Sequence, residues 1–296
     1  MLISSNGLFC LVDSLKDSTR IYNPSTGEIS PSIQRSPGVR DRMFATYGFG
    51  FDPSTKKHKV VRAWRIPKAK IGVDGEIINC EVSTVGEDNT WRKADYGVNA
   101  VIRGSSVSVN GSIYWMKGGY FQSGFANYES LVAFDVGSEK FREISLPKSF
   151  RAYTFKLLEV DGGISVLHKL DDFEVNLWIF KDDKDNGKWI EEIISMPSDW
   201  DGTNLYQSVQ QIPGTDIIIF KAKGTYDAPR HFISLYHYDR KMRTFKKVKI
   251  LGLPAMMMTP RESFSLPNSL ATSPPIDYGF FTMIESLSPV QKQQQG

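Results

Sequence analysis

Apolar residues come in short runs along most of the chain, broken by Gly, Asn, Asp, Pro and Ser. Stretches with helical spacing are scarce, so the pattern predicts many strands joined by turns. Two pieces recur. The first is a tight turn that opens an apolar strand, as in Asn6-Gly7-Leu8-Phe9-Cys10-Leu11, Asn110-Gly111-Ser112-Ile113-Tyr114-Trp115, Asp161-Gly162-Gly163-Ile164-Ser165-Val166 and Pro213-Gly214-Thr215-Asp216-Ile217-Ile218. Asn-Gly and Asp-Gly accept the positive φ angles that a two-residue hairpin requires. The second piece is a strand ending in an aromatic, then a polar turn, then a basic or aromatic strand. Its copies start at Ile21-Tyr22-Asn23-Pro24, Val132-Ala133-Phe134-Asp135, Leu177-Trp178-Ile179-Phe180 and Leu235-Tyr236-His237-Tyr238.

The spacing organises these pieces. Gly111 and Gly162 are 51 residues apart, Gly162 and Gly214 are 52 apart, and Gly7 and Gly111 are 104 apart, which is two such periods. Each period holds two hairpins and therefore four antiparallel strands. Four-stranded units repeating at about fifty residues predict an all-β, kelch-like β-propeller. A two-sheet sandwich is the alternative, and the regular period favours the propeller. The expected blades span residues 1–30, 44–94, 105–145, 153–195 and 205–250, with residues 262–289 as part of a sixth. Together they make one propeller domain over 1–289, followed by a polar tail at 290–296.

Strands that alternate direction put the tight turns on one rim and the longer connections on the other. The long connections fall near 12–18, 31–43, 67–76, 95–104, 117–129, 145–152, 168–174, 196–204, 221–230 and 251–261. Binding residues concentrate on long loops carried by a rigid scaffold. Tyr, Trp and Arg are enriched at binding hot spots. These loops offer Tyr120, Phe121, Phe125, Trp200, Tyr226 and Arg230 as partner-binding candidates. Trp115, Trp178 and Trp189 fall inside strands and are expected to pack between blades.

Composition narrows the partner class. The chain has 296 residues, 36 Lys plus Arg against 33 Asp plus Glu, and a net charge of +3. That balance does not predict nucleic acid or an anionic membrane as partner, and a monomer is expected. The run Ile217-Ile218-Ile219-Phe220 is far short of a membrane span. The start shows no basic segment followed by a long apolar one, so no secretory signal is visible. The expected location is cytoplasm, nucleus or both. Cys10 and Cys80 show no metal or redox spacing and read as small core hydrophobes.

No HExxH, P-loop or GxSxG motif is present. Gly48-Phe49-Gly50 is half of a dinucleotide fingerprint, but Pro53 follows in a turn, so it reads as a strand. His231 and His237 share a strand face without a third ligand. The Asn110-Gly111-Ser112 sequon reads as a hairpin turn. The acidic pairs at 171–172, 182–183 and 191–192 read as solvated, and the basic run Arg240–Lys249 as a hairpin with one solvated face. No catalytic residue, cofactor or metal is therefore expected. An enzyme working at the propeller mouth and a glycan-binding lectin are the alternative classes.

A set of motifs resembles the plant F-box-associated, kelch-type propeller domain. They are Ser4-Ser5-Asn6-Gly7-Leu8-Phe9-Cys10-Leu11, Tyr22-Asn23-Pro24-Ser25-Thr26-Gly27, Tyr47-Gly48-Phe49-Gly50-Phe51-Asp52-Pro53, Asn89-Thr90-Trp91-Arg92, Asn110-Gly111-Ser112-Ile113-Tyr114-Trp115, Lys140-Phe141-Arg142-Glu143-Ile144-Ser145-Leu146-Pro147 and Ile284-Glu285-Ser286-Leu287. They occur in family order over nearly the whole chain. The resemblance implies a substrate-recognition module of an SCF ubiquitin ligase, binding the protein to be ubiquitinated. In such proteins an N-terminal F-box docks a Skp-type adaptor. This chain starts at the Asn-Gly strand, so the expectation is a propeller without its F-box, with the adaptor a partner only if an F-box lies upstream.

Overall fold

A computed structural model describes residues 1–13, 16–33, 45–67, 76–87, 90–98, 101–118, 130–150, 155–182, 187–200, 209–212, 214–221 and 232–251. Among these, every regular element is a strand. Blade one is β1 (Leu2–Ser5), β2 (Leu8–Asp13), β3 (Ser18–Asn23) and β4 (Glu28–Ile29). Blade two is β5 (Thr46–Asp52), β6 (Lys57–Pro67), β7 (Glu76–Thr84) and β8 (Arg92–Ala94). Blade three is β9 (Val101–Val109), β10 (Ser112–Gly118), β11 (Ser130–Asp135) and β12 (Phe141–Ser145). Blade four is β13 (Lys156–Val160), β14 (Gly163–Lys169), β15 (Glu174–Lys181) and β16 (Lys188–Ser195). Blade five is β17 (Val209–Gln211), β18 (Ile217–Lys221), β19 (Phe232–Asp239) and β20 (Thr244–Leu251).

Each blade is a four-stranded antiparallel meander. The first strands pack on one another in succession, β1 on β5, β5 on β9, β9 on β13 and β13 on β17, so the first strand of each blade lies innermost. The five blades form a ring, a five-bladed β-propeller. The expected five blades are thus found at the expected positions. The part of a sixth blade at 262–289 and the tail at 290–296 lie outside the described residues.

The core is divided among the seams between blades. A middle strand has a neighbouring blade on both faces, so it is buried along most of its length, and in β15 every residue from Val175 to Phe180 is buried, the polar Asn176 included. Outer strands have one solvated edge and bury far less, as β16 does. Ile3, Cys10, Val12, Phe49 and Val60 fill the seam between blades one and two. Val61, Val82, Ile113, Trp115, Val132 and Phe134 fill the next. Met116, Leu131, Val166 and Trp178 join blades three and four, with Trp189 packed against them. Leu167, Val175, Leu177, Phe220 and Tyr236 join blades four and five. Trp115, Trp178 and Trp189 thus pack between blades as expected. The Gly48-Phe49-Gly50 segment is strand β5, with Phe49 fully buried. Burial pushes the Cys10 and Cys80 thiols up to about 12, so both remain protonated at neutral pH.

The tight hairpins form where Asn-Gly and Asp-Gly predict them. Asn6 and Gly7, Asn110 and Gly111, and Asp161 and Gly162 all take positive φ. One charge reading needs correction. Glu192 is not solvated: it accepts hydrogen bonds from Arg240 Nε at 3.1 Å and Nη2 at 2.9 Å. Arg240 also donates to Asp161 at 2.7 Å. The start of the basic run therefore ties blade five to blade four. Asp171 and Asp182 are solvated as expected: Asp182 is exposed while accepting from Arg142 of blade three, and Asp171 caps its own turn through the Phe173 and Glu174 amides.

Candidate functional site

The chain direction in each blade places the turns at Asn6-Gly7, 53–56, Asn110-Gly111, 136–140, Asp161-Gly162 and 240–243 on one rim. That rim is laced between blades. Asn110 donates to the Gly162 carbonyl, the Asp161 amide donates to Gln211 at 3.0 Å, and Arg92 pairs with Glu139. The longer connections leave from the other rim, as the strand spacing predicts. Of the six partner-binding candidates, Tyr120, Phe121, Phe125, Tyr226 and Arg230 lie outside the described residues.

Trp200 is described, and it is not a surface anchor. It is 8% exposed and sits in the seam between blades four and five. Its ring meets Tyr236 at 5.0 Å and Phe220 at 6.1 Å, both edge-on. The loop that carries it is pinned: the Trp200 amide donates to the Pro197 carbonyl at 2.9 Å. Tyr236 Oη donates to the Asp199 carbonyl at 2.8 Å. Lys247 donates to the Asp199 carboxylate at 2.9 Å, and that hydrogen bond holds the carboxyl below its ordinary value.

A repeat missed in the sequence explains this position. Ile144-Ser145-Leu146-Pro147-Lys148-Ser149-Phe150 and Ile194-Ser195-Met196-Pro197-Ser198-Asp199-Trp200 are the same motif 50 residues apart. Phe150 closes its turn through the Pro147 carbonyl just as Trp200 does through Pro197. It is 3% exposed in the seam between blades three and four. Ile33 and Tyr96 occupy the matching places after β4 and β8, each buried in the next seam. An apolar plug thus follows each of the four outer strands β4, β8, β12 and β16. The signal was the Ser-x-Pro-x-x-aromatic spacing after the fourth strand, which periodicity by glycines does not register.

The side chains beneath the plugs differ. Trp200 covers Phe220 and Tyr236, which are cross-strand partners. Phe150 covers His168, its ring edge-on at 4.9 Å, and the cross-strand partner of His168 is Asn176. Both are buried, at 2% and 4% exposure. Asn176 donates to Glu191 at 2.6 Å. His168 Nε2 and Asn176 Oδ1 have no hydrogen-bond partner among the described residues. A buried polar atom left unpaired costs about 1–3 kcal/mol. His168→Phe combined with Asn176→Leu is therefore expected to stabilise the fold by about 1–3 kcal/mol in urea unfolding.

Burial also depresses the His168 pKa below its ordinary 6.5. The unfolded chain then binds more protons than the folded one just below pH 6.5. Stability falls as the pH drops from about 6.5 toward the folded-state value, and this contribution vanishes above it. The double variant should flatten that part of the stability–pH profile. His58 and His237 shift in the same direction, again through burial, and preserve the remainder. A variant that is less stable and keeps the full slope would show that the pair is satisfied.

Among the described residues no group of three or more His, Cys, Asp or Glu side chains is placed to hold a metal ion. No helix there is long and apolar enough to cross a membrane. The candidate surface is accordingly a rim of varied connections on a rigid ring, the architecture of a propeller that displays loops. Residues 1–271 match the F-box associated beta propeller domain, and the chain belongs to that family. It is 27% identical over 79% of its length to the F-box protein DOR of Arabidopsis thaliana, covering 57% of that protein. An F-box/kelch-repeat protein of the same plant is 26% identical over 79% of the chain, which covers 60% of it. A putative F-box protein, also of Arabidopsis thaliana, is 27% identical over 82% of the chain, with 58% of its own length covered. The chain thus spans a little over half the length of these relatives.

Proposed function

We propose that this propeller is the target-recognition module of an SCF-type ubiquitin ligase. It holds the protein to be ubiquitinated on the rim of long connections and carries out no chemistry itself. The Skp-type adaptor is a partner only if an F-box lies upstream of the propeller. The module works as a monomer in the cytoplasm, the nucleus or both. Membership of the F-box associated family supports this reading most directly. The lengths of the connections support the choice of face, because binding residues concentrate on long loops carried by a rigid scaffold.

The test uses the chain alone and the chain fused behind an F-box. The chain alone should form no complex with a purified Skp-type adaptor in size-exclusion chromatography, and the fusion should form one. In a reconstituted ligase the fusion should transfer ubiquitin to a protein that the chain retains from a plant extract. Tyr120→Ala, Phe121→Ala, Tyr226→Ala and Arg230→Ala together should reduce that transfer at least about tenfold, the scale of lost hot-spot contacts. Undiminished transfer would move the site to the tight-turn rim. No transfer by the intact fusion to any retained protein would sink the reading.

A further inference from the structure

Outer strands of a propeller are sheet edges, and proteins protect such edges by keeping them short or lining them with lysine. Four of the five edges here follow that rule. β4 has 2 residues, β8 has 3 and β12 has 5. β20 has 8 residues but carries Lys246, Lys247 and Lys249. The exception is β16, with 8 residues and a single lysine at its start. Its Ile190 and Ile193 are 43% and 54% exposed. Of the seven exposed large hydrophobics among the described residues, four belong to blade four: Leu170, Phe173, Ile190 and Ile193.

The exposed apolar groups lie on both sides of the strand. Trp189 donates to the Ser145 carbonyl of blade three at 2.8 Å, so Trp189, Glu191 and Ile193 share the side toward blade three. Glu192 pairs with Arg240 of blade five, so Ile190 and Glu192 share the other. A docked helix would cover one side only, whereas an added strand sends alternate side chains to both. The two carboxylates also differ. Glu192 is neutralised by Arg240, while Glu191 is exposed, accepts one neutral hydrogen bond from Asn176, and pairs with no cation among the described residues.

We infer that the outer edge of β16, unpaired among the described residues, accepts an extended segment of a partner protein as a fifth strand of blade four. Main-chain hydrogen bonds supply affinity, and side-chain pairing supplies selectivity. Trp189, Glu191 and Ile193 select an apolar, a basic and an apolar residue at alternate positions. The pattern is symmetric, so it holds for either strand direction. A second copy fits worse. Two-fold antiparallel pairing of two β16 strands about their centre sets Glu191 opposite Glu191 or Glu192 opposite Glu192, and like charges directly opposed are destabilising. The inference is independent of the ligase reading, and its test uses no ligase component.

The probe is a fluorescent peptide with valine, lysine and valine at alternate positions and threonines between and around them. Anisotropy titration of the whole chain at low salt should give saturable binding. Ile193→Lys should weaken binding at least about tenfold, with an unchanged melting temperature because the position is exposed; Glu191→Lys should weaken it by a similar factor. N-methylation of one or the other alternate set of peptide amides should abolish binding, and this control leaves the protein untouched. Replacing the peptide's lysine by glutamate should weaken it similarly. Absence of saturable binding, or equal binding by both N-methylated peptides, would overturn strand addition. A concentration-dependent dimer dissolved by Ile193→Lys would overturn it in favour of a second copy.

Discussion

Gly48→Ala is expected to cost about 4 kcal/mol of folding free energy, although it adds one methyl group to a strand. A Cβ at this position would lie 2.2 Å from Trp115 Cζ2 and 2.8 Å from Ile113 Cγ2. Trp115 is fully buried and cannot swing outward. Its indole Nε1 donates to the Tyr47 carbonyl across the seam at 3.1 Å. Displacing the ring both overpacks the seam and breaks that buried hydrogen bond. Gly50→Ala meets aliphatic side chains, the Ile113 Cγ1 methylene at 2.6 Å and a Val136 methyl at 2.7 Å. These can yield, so its cost should be smaller, about 1–3 kcal/mol. Urea unfolding of the two variants compares them directly. Trp115→Leu in the Gly48→Ala background should cost less than the sum of the single changes, because the smaller side chain leaves room for the methyl. A Gly48→Ala loss under about 1 kcal/mol would mean that the seam adapts, and that this glycine is not selected by the tryptophan.

The same pair shows how far the sequence could be read. Asn-Gly and Asp-Gly turns follow from local backbone chemistry, so the period, the five blades and the two rims were legible from spacing alone. Gly48 was legible as a strand residue, because Pro53 and the alternation around it leave no room for a phosphate loop. Its reason was not legible, since Trp115 comes from the neighbouring blade. Trp200 failed for the same kind of cause. An aromatic between two aspartates looks solvated in the sequence, yet Phe220 and Tyr236 from the next blade bury it. Arg240 and Glu192 also looked like separate surface charges, and their pairing is a fact of blade adjacency. Local chemistry thus fixes which residues turn and which extend. Which side chains are left to bind depends on contacts between distant parts of the chain.

Arg62→Leu is expected to destabilise the protein by roughly 3–5 kcal/mol, the range found when one member of a buried ion pair is removed. Arg62 is 1% exposed and lies at the seam between blades two and one. Its Nε donates to Glu81 at 2.8 Å, and Nη1 donates to Asp17 of blade one at 3.0 Å. The guanidinium also covers the Trp91 ring at 3.9 Å. Removing it takes the Arg62 cation away from the Glu81 carboxylate, which is 5% exposed. Asp17 is nearer to water, with its side chain 13% exposed, and is the easier of the two to rehydrate. Arg62→Lys keeps the charge but loses the forked geometry and the stacking, so its loss should be intermediate. Arg62→Leu combined with Glu81→Leu removes both buried charges and should recover at least half of the single-variant loss. Urea midpoints of the three variants measure this. If the double variant is as unstable as Arg62→Leu alone, the loss comes from the aromatic stacking and the Asp17 tie rather than from the Arg62–Glu81 pair.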